Sequence, residues 1–530
     1  MSPTRRTIIG GLIGGAAVTA LPFALRGEPG SRPTAVPDPG FTRIANQAAL
    51  PAQFSLPLKF PPVLRPTRTD STTDYYTITA REANLTILPG MSTRVFSYEG
   101  SFPGPTIEAR SNRRVVVTTT NQLPVPTVTH LHGGHTPADS DGYATDLILP
   151  VGGWPAAPAH ATSHTGHMGH AAEMAGVVAQ GTRDYVYPNK QRAATLWYHD
   201  HRMDFTGPQV WRGLAGFYLI RDSVDDALPL PEGDRELPLM IMDRSFDANG
   251  QFTYPSADPT LRTPGLTVNP NGVQGDVMLV NGVPWPFHEV KQAKYRLRLL
   301  NAANSRRLRV SLSPSPSGGK AFTQIGSDGG LLAAPQQMSS IYMVPGERFD
   351  VIVDFSKYAA GTNVVMTNSL GESSTNKIMQ FRVTGPASDS SSIPAQLSTV
   401  ERLDPNQSVR TRTFTFLNTS RNGKEVHVIN DQLFSTGYIM ADPRLGQIET
   451  WEFRSSTHHP VHVHLNPFQV ISREGGLEPE DAGWKDTVRL TPGDSVRVAI
   501  RFDDYAGKYM LHCHNLEHED MAMMANFQVS

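Results

Sequence analysis

The chain has 530 residues, a net charge of −2, 45 glycines, 43 prolines and one cysteine. That length implies several domains, and the spread of Lys and Arg without a basic tract excludes a nucleic-acid or anionic-lipid binder. Abundant Gly and Pro with few charges favour a loop-rich all-β protein over a helical one.

In chain order, the N-terminus reads MSPTRRTIIGGLIGGAAVTALPFALRG. Paired arginines ahead of a short apolar run predict a twin-arginine export signal. The run is broken by Pro22 and rich in Gly and Ala, which makes it poor as a spanning helix. Residues 1–40 are therefore expected to be signal and flexible lead, and the protein to be periplasmic or extracellular. One cysteine allows no intramolecular disulfide in such a compartment.

Strand-like alternation follows in RRVVVTTT (113–120), KYRLRLL (294–300), FDVIVDF (349–355) and SVRVAIRF (495–502). Two linker-like stretches, 221–236 and 385–398, divide the chain into blocks 41–228, 229–385 and 386–530, each of β-sandwich size. No exact internal repeat is visible. Within the first block, the segment 158–176 carries His160, His164, His167, His170, Met168 and Met174 among small residues. It is expected either to bind soft metal weakly or to be an inert insertion.

Eight of the 18 histidines form four His-x-His pairs: His130/His132, His199/His201, His462/His464 and His512/His514. Residues i and i+2 of a strand share a face, so each pair projects two imidazoles together. Eight imidazoles make a poor apolar core, because every ring nitrogen needs a partner, and a good multinuclear metal site. One such pair alone is more often structural, but four in one chain are not coincidence. Cys513 lies between His512 and His514 and must face the other way. With His459, His518 and Met523 it can form a second site of two imidazoles, a thiolate and a weak thioether, the donor set of an electron-transfer copper centre. Zinc also accepts Cys and His, but needs no thioether.

With HLHGG, WYHDH, HPVHVH and HCHNLEHEDMAMM in view, together with FPGPTIEARSNRRVVVTTTNQLP, GDVMLVNGVPWPF, YRLRLLNAANSR, GSDGGLL and VPGERFDVIVDF, the chain from about Phe41 to Ser530 resembles the three-domain multicopper oxidases of the bacterial laccase and bilirubin-oxidase type. The resemblance implies three cupredoxin-like Greek-key β-sandwiches and four copper ions per chain. It implies a type 1 copper on His459, Cys513 and His518 with Met523 axial, and a type 2 copper on His130 and His462. One type 3 copper would lie on His132, His199 and His514, and the other on His201, His464 and His512. His518 is the expected edge for electron entry, and Asp141 and Glu519 are the expected proton-handling carboxylates, although by themselves they read as a turn residue and a solvated charge. The implied partners are a small aromatic reductant, O2 and the twin-arginine export machinery, with a monomeric chain.

The resemblance implies one-electron oxidation of phenols, aminophenols or aromatic amines. A metal oxidase acting on Cu(I), Mn(II) or Fe(II), or a bilirubin oxidase, is the alternative within the family, and a copper-binding protein without turnover is the alternative outside enzymes. Ser455 and Thr457 stand where copper-detoxifying members carry Asp and Met. This departure speaks against Cu(I) oxidation by that route.

Overall fold

The structure, a computed structural model, describes residues 40–154, 176–256, 262–263, 266, 271–421 and 423–530. The expected signal and lead, Gly40 excepted, and the His/Met segment, Gly176 excepted, lie outside the described residues.

The all-β expectation holds. The chain builds three successive two-sheet units, with only short helices among the described residues. The four stretches singled out by alternation become the strands Arg114–Asn121, Lys294–Asn301, Arg348–Asp354 and Ser495–Arg501. In Arg114–Asn121, Val115 and Val117 turn inward while the intervening residues stay half exposed, the pattern of a sheet with one wet face.

A topological repeat relates the units, as three sandwiches of one type imply, although no exact sequence repeat marks it. In each, an early strand pairs in parallel with a later one: Thr73–Leu85 with Arg114–Asn121, Glu236–Arg244 with Lys294–Asn301, and Thr411–Arg421 with Ile448–Ser455. The opposite sheet of each unit also holds a parallel pair that includes the unit's last strand. These are Gly104–Arg110 with Ala215–Arg221, Phe287–Gln292 with Lys377–Pro386, and Ile439–Ala441 with Met524–Val529.

The segment 221–236 is pinned rather than loose. Asp225 and Glu236 are held by Arg221, Arg296 and Arg298, with Arg296 Nη2 donating to Asp225 Oδ1 at 2.8 Å and Arg221 Nη1 to Glu236 Oε1 at 2.7 Å.

The histidine-bearing strands Thr129–His132, Ala194–Asp200 and His459–Val463 are buried at every position. One face of each packs on its own sandwich. The other is covered where the first and third units meet, which takes the imidazoles out of water.

Candidate metal centre

Two pairs of strands build the site. In the first unit Thr129–His132 lies antiparallel to Ala194–Asp200 with His130 opposite His199. In the third, His459–Val463 lies antiparallel to Gly507–Cys513 with His462 opposite His512 and Val461 opposite Cys513. His201, His464 and His514 follow directly on the ends of these strands. All eight paired histidines converge in one buried cluster between the units.

The cluster is ordered by what each ring does with its two nitrogens. Outward nitrogens of every ring except His201 and His514 find an oxygen partner. His130 Nδ1 meets the Asp141 carbonyl at 2.6 Å, His199 Nδ1 the Asp200 carbonyl at 2.8 Å and His462 Nδ1 the Asp486 carbonyl at 2.9 Å. His464 Nδ1 meets Asp141 Oδ2 at 2.8 Å, and His132 Nε2 meets Asp486 Oδ1 at 3.1 Å. His201 Nδ1 and His512 Nδ1 lie 3.4 and 3.3 Å from the two Glu519 carboxylate oxygens.

The inward nitrogens meet one another or nothing. His130 Nε2 is 3.4 Å from His462 Nε2, and His512 Nε2 is 3.2 Å from His464 Nε2 and 3.3 Å from His201 Nε2. His132 Nδ1, His199 Nε2 and both nitrogens of His514 are buried without a hydrogen-bond partner. An oxygen acceptor outside fixes the proton there and turns a lone pair inward. Burial pushes His130, His132, His464 and His514 well below their ordinary range, so the rings are held neutral, the form that binds metal. Converging lone pairs with no donor between them leave a cation as the group that satisfies them.

On the other face of Gly507–Cys513, Cys513 Sγ lies 3.3 Å from His459 Nδ1 and 3.5 Å from His518 Nδ1, with 3.1 Å between those two nitrogens. His518 comes from the short helix Leu516–Asp520, capped by the Asn515 side chain. The buried Met523 belongs to the same apolar core as Cys513, and its backbone N–H donates to the His518 carbonyl at 3.0 Å. Burial raises the Cys513 thiol far above its ordinary range, so the thiolate forms with a metal rather than before it. The donor sets fit copper: soft thiolate with two imidazoles at one site, imidazoles alone at the other.

The two expected carboxylates are at the cluster. Asp141 is buried, and burial with Asp146 nearby pushes its carboxyl well above the ordinary range. Glu519 is also buried and accepts from the Thr206 hydroxyl at 2.6 Å. Burial alone would raise it, but His201 and His512 hold it below the carboxylate range.

Ser455 and Thr457 have local partners. The Ser455 hydroxyl donates to the Thr457 carbonyl at 2.8 Å, and Thr457 Oγ1 lies 2.8 Å from His459 Nε2. The Thr457 hydroxyl is thus occupied in orienting a ring of the Cys513 site.

Sequence reasoning missed several neighbours. Asp486 touches both His132 and His462, through its side chain and its carbonyl. Trp197 packs at 4.3 Å on His199 and 5.3 Å on His132, and His427 stacks at 4.5 Å on His518. The alternation in ATLWYHD could have placed Trp197 beside His199, since the two are separated by one residue. Nothing local marks Asp486 or His427.

Three models described as multicopper oxidase match residues 79–155 with 160–225, 247–385 and 396–530. A laccase of Bacillus stratosphericus is 36% identical over 88% of this chain and 97% of its own length. A bilirubin oxidase of Albifimbria verrucaria is 32% identical over 92% of this chain and 83% of its own. A laccase structure from Pediococcus acidilactici superposes with a TM-score of 0.77 at 29% identity, covering 92% of this chain and 95% of that one. With its cupredoxin-type sandwiches and its two buried donor sets that fit copper, this chain belongs to the multicopper oxidases and is a laccase-like oxidoreductase.

Proposed function

We propose that the chain is an exported, monomeric laccase that takes single electrons from phenols, aminophenols or aromatic amines, with four copper ions distributed as the resemblance implies. His459, Cys513 and His518 with Met523 would hold the type 1 ion, and His130 and His462 the type 2 ion. His132, His199 and His514 would hold one type 3 ion, and His201, His464 and His512 the other. Bound copper supplies reversible one-electron chemistry at the first site and O2 reduction to water at the second.

The observation that carries this reading is the division at Cys513. Its sulfur faces His459 and His518, while His512 and His514 on either side face the eight-histidine cluster. A few covalent bonds therefore join the two sites. His518 is only 3% exposed, so a donor remains outside and an electron alone passes. This tolerates varied aromatic donors, because potential and access matter more than a shaped pocket. Asp141 and Glu519 stand at the outward faces of His464, His201 and His512, Asp141 favoured in its protonated form and Glu519 in its ionised form, and would relay protons to reduced oxygen. Four one-electron oxidations with four protons balance one O2 against two water molecules.

The test is a steady-state comparison of Cu(I), bilirubin and dimethoxyphenol on the copper-loaded protein, with copper counting and oxygen uptake. Fastest turnover of the phenol, with a blue absorption band, is expected. Preference for Cu(I) makes the chain a metal oxidase. Copper binding without oxygen uptake makes it a storage or structural protein.

A further inference from the structure

The middle sandwich supplies none of the residues assigned to copper, yet one of its turns reaches the eight-histidine cluster. Gly346 has φ +90°, and a Cβ built there would lie 3.1 Å from both His132 Cε1 and His514 Cδ2. Two residues on, Arg348 is fully buried. Its Nη1 donates to Asp486 Oδ1 at 2.7 Å and to the Gly346 carbonyl at 3.0 Å, and its Nε donates to the Thr195 carbonyl at 2.9 Å. The second Nη pairs with the other Asp486 oxygen. Asp486 Oδ1 in turn accepts from His132 Nε2 at 3.1 Å.

One guanidinium thus ties the first unit at Thr195 to the third at Asp486, from its own place in the second. Behind it, Asp328 Oδ2 accepts from the Asp486 and Thr487 backbone N–H groups at 3.2 and 3.3 Å. It also pairs with Lys485 Nζ at 2.9 Å, and that ammonium lies 3.0 Å from Glu347 Oε1. Such a planar, bidentate fork fixes a carboxylate's rotation as well as its position.

We propose that Gly346 and Arg348 are positioning residues for the cluster. Gly346 leaves the space in which the His132 and His514 rings face inward, and Arg348 locks the Asp486 carboxylate that orients His132. The inference rests on the copper assignment above. It gives the middle sandwich a part in the chemistry beyond spacing its neighbours.

Three variants test it: Gly346→Ala, Arg348→Lys and Gly361→Ala. Gly361 has φ +85° with nothing within 4 Å of a Cβ, so it reports backbone strain alone. Arg348→Lys keeps the charge and loses the fork. Copper-loaded chains are equilibrated against a graded chelator, while copper content and the blue band are read together. Gly346→Ala and Arg348→Lys should hold cluster copper about 10–100-fold more weakly, with the blue band unchanged. Gly361→Ala should match the unaltered chain in both readouts. Cluster copper held by the first two variants as tightly as by Gly361→Ala overturns the inference. Loss of the blue band in step with cluster copper also overturns it, since that marks general unfolding. An unaltered chain that holds no copper overturns the reading of the site itself.

Discussion

Cys513 and His512 are neighbours on one strand and belong to different sites: Cys513 Sγ lies 3.3 Å from His459 Nδ1, while His512 Nε2 lies 3.2 Å from His464 Nε2. Strand alternation alone produces this division, because successive side chains leave opposite faces. Cys513→Ser should therefore act on one site only. A hydroxyl is a hard, poor copper ligand in place of a soft thiolate. The blue band and its copper should disappear, phenol oxidation with O2 should stop, and the eight-histidine cluster should still load. Copper counting, the visible spectrum and oxygen uptake check all three, and retained blue absorption counts against the assignment.

Asp141→Asn separates holding a ring from handling a proton. An amide oxygen can still accept from His464 Nδ1, now 2.8 Å from Asp141 Oδ2, so the ring should stay in place. The ionisable group is gone. Reduction of the Cys513 site by substrate should run at the normal rate, and reoxidation by O2 should slow about 100-fold. Stopped-flow reduction followed by mixing with O2 resolves the two steps. Normal reoxidation removes Asp141 from the proton route.

Thr457→Val removes the hydroxyl 2.8 Å from His459 Nε2 and leaves that buried nitrogen unsatisfied. The expected cost is about 1–3 kcal/mol of stability in the copper-free chain, read by denaturant titration. The blue band should survive with a shifted maximum, since Nδ1, which faces Cys513 and His518, is unaltered. An unchanged midpoint and spectrum show that the hydroxyl does not orient the ring.

Acid should weaken the ionic latch between the first and second sandwiches. Burial tends to raise the Glu236 carboxyl, but Arg298, Arg221 and Arg296 override it and bring it from 4.5 down to about 2. A folded pKa below the unfolded one gives stability that is present above about 4.5 and lost as pH falls towards about 2. Glu236→Gln should destabilise at neutral pH by about 3 kcal/mol. The gap to the unaltered chain should narrow between pH 4.5 and 3, followed by urea titrations across that range. A gap that stays constant with pH assigns the loss to packing rather than charge.

The sequence by itself determined the local geometry. Alternation placed Val115 and Val117 in a core, put His512 and His514 on one face and Cys513 on the other, and linked the four His-x-His pairs to metal. These features follow from the two-residue period of a strand, which needs no knowledge of distant chain. Tertiary structure alone decided which histidines meet. His130 and His462 are 332 residues apart and face each other only because the first and third sandwiches close on that surface. Asp486, Arg348 and Gly346 were illegible for the same reason. A carboxylate, a guanidinium and a glycine carry no periodic signal, and their roles arise from burial against strands of other units. The threefold topological repeat was legible only through the resemblance to three-domain oxidases, not from any repeat in the residues. Parallel pairing between strands far apart in sequence is set by burial summed over whole sandwiches, and many sequences satisfy that sum equally well.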